Sequence, residues 1–222
     1  MNSKVILISS ASTSVGAATA RKLAKAGHQL VLGACHEQCV APLAEELRAL
    51  GAEVDVQVLD VTDADDFQTF VLAAHRRYER IDVLVNNAEV MALSRLDAMK
   101  IREWDRMIDV NLRGALNGIA AVLPLMQMAR SGQIINLAAL TPVGPTASVY
   151  SATKYALAAI SEGLRREVGG DIRVTIVSPC QSEAGPGDAS PDAIARTIAF
   201  AINQPSDIDV SEIVVRSTAS PY

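Results

Sequence analysis

Tyr150 and Lys154 stand four residues apart in the stretch Tyr150-Ser151-Ala152-Thr153-Lys154. On a helix this spacing puts both side chains on one face. The pairing suits proton exchange. A free phenol titrates near ~10, and an adjacent ammonium stabilises the phenolate. The hydroxyl can then trade a proton with a substrate oxygen near neutral pH. Taken alone, the pair also fits an ordinary helix surface. Asn111, in Asp109-Val110-Asn111-Leu112, is an amide within a long apolar run, where a hydrogen-bonded core residue is the plain alternative to a functional one. Cys35-His36-x-x-Cys39 offers ligand types for zinc, but no fourth ligand is near, and His28 and His75 lie on other elements, so no metal site is expected.

Short β-branched runs alternate with longer helical patterns. Strands are predicted at Lys4–Ser9, Gln29–Gly33, Glu53–Leu59, Ile81–Asn86, Gln133–Ala138, Arg173–Ser178 and Ile208–Val215. Most are nearly continuous apolar runs, as parallel strands buried on both faces require. Helices are predicted at Val15–Ala26, Pro42–Leu50, Asp63–Tyr78, Ile101–Ala129, Val149–Val168 and Pro191–Asn203. Thr62-Asp63 reads as an N-terminal cap, and Gly27 and Gly51 as left-handed residues closing helices. Pro42 belongs in a first helical turn, which starts the second helix near Ala41 and lengthens the loop before it. The alternation predicts an α/β fold: a single Rossmann-type, doubly wound parallel sheet of about seven strands flanked by helices, spanning residues 1–222 as one domain.

Composition narrows the function classes. Half of the 222 residues are hydrophobic, enough for a large core, and the formal charge of −5 argues against a nucleic-acid surface. The apolar run Val5–Ile8 is too short for a signal sequence or a membrane span. With three cysteines, an odd count, the expected setting is the reducing cytoplasm.

The motifs resemble those of the short-chain dehydrogenase/reductase family over nearly the whole length. Tyr150 and Lys154 match its Tyr-x-x-x-Lys signature, and Asn111 its helix asparagine, implied to support a proton relay to the lysine. Asn86-Asn87-Ala88 matches Asn-Asn-Ala-Gly, Asp60-Val61 the pair that contacts adenine, and Ser178-Pro179 the start of a Pro-Gly turn beside the nicotinamide. The implied catalytic residues are Tyr150, Lys154 and Asn111. The implied cofactor-lining residues are Ser10, Ser14, Gly16, Asp60, Val61 and Asn87.

Departures from the family pattern cluster at the cofactor. The first turn, Thr-Gly-x-x-x-Gly-x-Gly in the family, is Ser9-Ser10-Ala11-Ser12-Thr13-Ser14-Val15-Gly16 here, keeping only the last glycine. Those glycines permit unusual dihedrals and let N–H groups approach a pyrophosphate. A serine held at positive φ costs roughly 1–2 kcal/mol. Ser14 is expected either to cap the helix and occupy those N–H groups or, with Ser10, Ser12 and Thr13, to donate to a phosphate. Glu89 replaces the glycine after Asn-Asn-Ala, a position lying against the cofactor's ribose in the family. Against the pyrophosphate a carboxylate there would repel by about 4 kcal/mol at ~4 Å and an effective dielectric of ~20. The alternative is an exposed loop carboxylate. Cys180 replaces the glycine of the Pro-Gly turn, and Ala139 the catalytic serine, with Thr141 and Ser148 as possible substitutes. Cys35-His36 stands where arginines or an aspartate would select NADP or NAD, and segment 181–190 is short for a substrate cover.

Three functions follow. The first is NADP(H)- or NAD(H)-dependent exchange between a carbonyl and an alcohol. The second keeps the scaffold and uses Tyr150 and Lys154 for acid/base chemistry without hydride transfer (cyclisation, isomerisation, elimination or retro-aldol cleavage) on a small, partly apolar oxygenated substrate. The third is a non-catalytic partner subunit. Losses concentrated on the cofactor side, with the proton-handling residues retained, favour the second and no cofactor. A homodimer or homotetramer through helices 101–129 and 149–168 is expected, because these carry more apolar positions than one core face needs.

Overall fold

The computed structural model describes residues 3–138, 144–180 and 188–218. Among them lie seven strands: β1 (Val5–Ile8), β2 (Gln29–Ala34), β3 (Val54–Val58), β4 (Val83–Asn86), β5 (Gly132–Leu137), β6 (Ile172–Pro179) and β7 (Glu212–Val215). They form one parallel sheet in the order β3-β2-β1-β4-β5-β6-β7. The order reverses direction between β1 and β4, and in doubly wound sheets ligands bind outside the strand C-termini at such a switch point. Residues Ser9, Asn87 and Ala138 follow β1, β4 and β5 at that end.

Both faces are covered, as the unbroken apolar strands require. Ile6 and Ile8 of β1 enter one core with Leu23, Leu43 and Ile198. Val5 and Leu7 enter the other with Phe67, Phe70 and Val122. The first core is closed by α1 (Ser14–Lys25), α2 (Ala41–Ala49) and α7 (Pro191–Ile202); the second by α3 (Ala64–Tyr78), α5 (Gly114–Ala129) and α6 (Ser148–Val168). Asp63 caps α3 by accepting from the N–H groups of Asp65 and Asp66 at 2.8 and 3.1 Å. Gly27 and Gly51 take positive φ after α1 and α2. The lengthened loop after β2 holds a short 3₁₀ turn, Glu37–Cys39. Among the described residues, no helix is long and apolar enough to cross a membrane.

The predicted helix Ile101–Ala129 is helical throughout but not uniformly α-helical. It divides into α4 (Ile101–Met107), a π-helical segment Ile108–Arg113, and α5. Gly114 N–H donates to Asp109 O, five residues back, which is the wide turn itself. The apolar pattern of the sequence does not mark such an insertion. It carries Asn111, and the turn presents that side chain to α6 and to the loop after Asn87.

Close packing of α5 on the sheet depends on Gly118. A Cβ there would lie 2.5 Å from Asn86 Oδ1 and 2.7 Å from the Phe67 ring. Gly118→Ala should therefore cost about 1–3 kcal/mol by overpacking, read as a lower urea midpoint at unchanged slope; an unchanged midpoint would show that this contact relaxes freely.

Candidate active site

Tyr150 and Lys154 lie on α6, and both are buried, at 0% and 1% exposure. The Tyr150 ring packs with Met107 and Ala147, flanked by Val90 and Trp104. Lys154 Nζ lies 5.6 Å from the centre of that ring. A buried ammonium needs acceptors, and two are present. Leu137 O, at the end of β5, accepts from Nζ at 3.0 Å. Glu89 Oε2 is the second, at 2.8 Å. The same Glu89 oxygen accepts from the Tyr150 hydroxyl at 3.1 Å. Glu89 is thus an exposed loop residue, as one expectation had it, and it also makes a contact that neither expectation included. It turns inward to the tyrosine–lysine pair, with a third of its side chain left exposed. Its clue in the sequence is an acid directly after the β4 motif, beside the strand that leads to a buried lysine.

Asn111 fixes the backbone around this contact. Its Oδ1 accepts from Val90 N–H at 2.7 Å, and its Nδ2 donates to Val90 O at 2.9 Å and to Thr153 Oγ1 at 3.1 Å. Among the described residues no hydrogen bond joins Asn111 to Lys154. Asn111 instead braces the neighbour of each member of the ion pair, Val90 beside Glu89 and Thr153 beside Lys154.

The altered turn keeps its shape. Ser10 takes φ 49°, a left-handed conformation in the place of the family's first glycine. Ser14 is the first residue of α1, and the cap is Thr13, whose Oγ1 accepts from Gly16 N–H at 3.1 Å. The expected cap at Ser14 is therefore displaced by one residue. Thr13 wins because its hydroxyl also donates to Ser10 O at 3.0 Å. Asn87 ties the turn to β4: Nδ2 lies 3.0 Å from Ser9 O, Ser10 O and Thr13 Oγ1, and its own N–H donates to Ser9 Oγ. Gly16 is indispensable here, since a Cβ would come within 2.6 Å of Ser10 O and 2.8 Å of the Ala11 Cα.

Asp60 and Val61 sit at the β3 exit. Asp60 is exposed and its Oδ1 accepts from Thr62 N–H and Oγ1. Val61 is buried, and its carbonyl accepts from Asn117 Nδ2. Beyond β2, a groove of about 560 Å³ is lined by Cys35, His36, Glu37 and Val58. Ser148 is exposed and lines an outer apolar groove with Leu96, Ile108 and Leu112, so it does not stand in for the missing serine. Ala139, Thr141 and segment 181–187 lie outside the described residues.

The short chain dehydrogenase family profile matches residues 4–186. An uncharacterized oxidoreductase of Staphylococcus saprophyticus is 39% identical, over 97% of this chain and 96% of its own length. Another from Listeria innocua is 36% identical over 100% and 99%, aligned across 246 positions, more than the 222 residues present here. Among solved structures, an alcohol dehydrogenase from the archaeon Thermococcus sibiricus complexed with 5-hydroxy-NADP superposes with a TM-score of 0.92 at 28% identity, over 100% and 99%. A metagenomic short-chain oxidoreductase in complex with NADP gives 0.88 at 32%, over 98% of each chain. The chain belongs to the short-chain dehydrogenase/reductase family.

One substitution isolates the strain of the altered turn. Ser10→Gly relieves a left-handed serine and should raise stability by about 1 kcal/mol, seen as a higher denaturation midpoint; a lower midpoint would mean that the Ser10 side chain holds the turn.

Proposed function

We propose that the protein is an NADP(H)-dependent oxidoreductase acting on a carbonyl/alcohol pair, with NADH as the weaker coenzyme. The observation that carries this reading is the burial of Tyr150 and Lys154 side by side on α6, in a chain whose relatives are named oxidoreductases. The two superposed structures hold NADP or its hydroxy derivative. A leaning away from nicotinamide chemistry, drawn from the altered turn, finds no support in these comparisons. The turn's geometry also weakens it, since Ser10 reproduces at φ 49° the conformation for which a glycine is usual.

The residues present fit a dinucleotide at its adenosine end. Gly16 lets the turn after β1 pack closely on the start of α1, which places the N-terminus of α1 at the C-terminal end of the sheet. The end of β2, Gly33-Ala34, carries no carboxylate, and the groove beyond it is lined by Cys35, His36 and Glu37. Asp60, Val61 and Asn87 border this side. When bound, a nicotinamide supplies or accepts the hydride. The chain's own part is the proton: Tyr150 passes it to or from the substrate oxygen, and Lys154 favours the phenolate that results. Asn111 positions both through Val90 and Thr153.

Fluorescence titration with NADPH and NADH tests the coenzyme assignment, and a panel of aldehydes, ketones and secondary alcohols tests turnover. Saturable NADPH binding is expected, with Tyr150→Phe losing about 10²–10⁴-fold in rate while binding is kept. No saturation by either nucleotide would overturn the reading. It would favour cofactor-free acid/base chemistry, which the inward Glu89 carboxylate would suit.

We further propose a homo-oligomer. The π segment, α5 and α6 expose Ile108, Leu116 and Tyr155 in turn, and an apolar groove of about 470 Å³ runs between Leu112, Val149 and Ala156. Sedimentation velocity should show a dimer or tetramer; a monomer at all concentrations would contradict it.

A further inference from the structure

The Tyr150–Lys154 pair is already occupied from within the chain. Tyrosine has a single O–H to give, and here that proton points to Glu89 Oε2 at 3.1 Å. The lysine ammonium has three protons. One meets Leu137 O and another the same Glu89 oxygen. A substrate oxygen cannot receive the Tyr150 proton while the carboxylate holds it. Nor can a ligand hydroxyl reach Lys154, which is 1% exposed, while the carboxylate stays in place. The contact is built rather than incidental. Backbone N–H groups on either side of Glu89 are pinned to buried side chains: Asn87 N–H to Ser9 Oγ at 3.0 Å, and Val90 N–H to Asn111 Oδ1 at 2.7 Å. Between these points the backbone has little freedom, so only the side chain can leave. It has room to do so, because a third of it already faces solvent.

We propose that Glu89 is a displaceable internal occupant of the catalytic pair. Its carboxylate, at a position that the family resemblance puts against the cofactor's ribose, holds Lys154 and the Tyr150 proton in the resting protein and rotates toward solvent when the ribose seats. Glu89 thereby sets coenzyme affinity without contacting the adenosine end. This deepens the nicotinamide reading above and rests on it. It differs from simple repulsion of the pyrophosphate, because the carboxylate competes for the ammonium rather than for the phosphates.

Two variants separate the charge from the bulk. Glu89→Gln keeps the size and removes the charge; Glu89→Gly removes both. Each is compared with the natural chain in two assays. The first is thermal melting without ligand. The second is titration with NADPH and with adenosine bisphosphate carrying the 2′-phosphate, which cannot reach Lys154. Leaving Lys154 buried without its carboxylate should lower the melting temperature by about 2–4 °C or more. NADPH should bind at least about tenfold tighter to Glu89→Gly, with the bisphosphate unchanged. That crossed pattern of lost stability and gained affinity is specific to an internal occupant.

If melting and affinity are both unchanged, Glu89 is an ordinary loop carboxylate and the proposal falls. If melting drops while NADPH affinity stays the same, the ion pair is structural, the nicotinamide reading stands and the proposal falls. Equal tightening for both nucleotides points to long-range charge and also overturns it. NADPH binding by Glu89→Gly alone supports the occupant and removes the redox reading from the natural chain. No nucleotide binding by any form removes both.

Discussion

Lys154 brings an ammonium to a place where water does not reach, and much of the site is arranged around satisfying it. An isolated buried charge costs many kcal/mol, so acceptors within the chain are obligatory. Leu137 O is one, available because β5 ends there and its last carbonyl leaves the sheet ladder. Glu89 is the other, available because β4 ends beside β5. The neighbouring strands are held at that spacing by a buried polar chain. Asn86 Nδ2 donates to Asn136 Oδ1 at 2.9 Å, and Asn136 Nδ2 donates to Ser161 Oγ on α6 at 2.8 Å. The helix bearing the lysine is thus bonded, through side chains, to the two strands that supply its partners.

The altered first turn shows how a backbone conformation outlasts the residue that usually permits it. A serine at φ 49° is unfavourable by itself. It persists because Asn87 bonds the carbonyls on both sides of the peptide before it, and because Thr13 bonds the Ser10 carbonyl as well as capping the helix. Tertiary hydrogen bonds therefore fix the dihedral, and side-chain identity only sets its cost. This is why replacing glycines did not erase the geometry that the family shares, and why Gly16, where the obstacle is a clash rather than a dihedral, remains glycine.

The sheet was legible in the sequence because its strands are apolar on both faces and are separated by amphipathic helices with recognisable caps. All seven predicted runs contain their strands, or all but an end residue or two, and α2 begins at Ala41 as Pro42 requires. Tyr150 and Lys154 were legible from their spacing together with the accompanying motifs, not from the spacing alone. Two features were not. The π turn at Ile108–Arg113 is one, because its buried residue is the polar Asn111 while Ile108 is exposed, so its apolar residues do not mark the buried face. The inward turn of Glu89 depends on Lys154 lying within reach, and reach is a property of strand order, not of local sequence. Read locally, an acid beside a phosphate-binding turn suggests repulsion. In three dimensions it finds a lysine sixty-five residues further along the chain.

The pinned backbone on either side of Glu89 also bears on rates. Loops that open as a whole move on microsecond to millisecond timescales and often limit turnover. Here Asn87 and Val90 are each fixed by a side-chain bond, which leaves rotation about the Glu89 side-chain bonds as the available motion. Such rotations take picoseconds to nanoseconds for exposed groups, with the breaking of the Lys154 ion pair and the Tyr150 hydrogen bond added. A site cleared in this way fills almost as fast as its ligand diffuses in. Its occupant then acts as a competitor at equilibrium, altering how tightly a ligand is held while leaving the speed of its arrival nearly untouched.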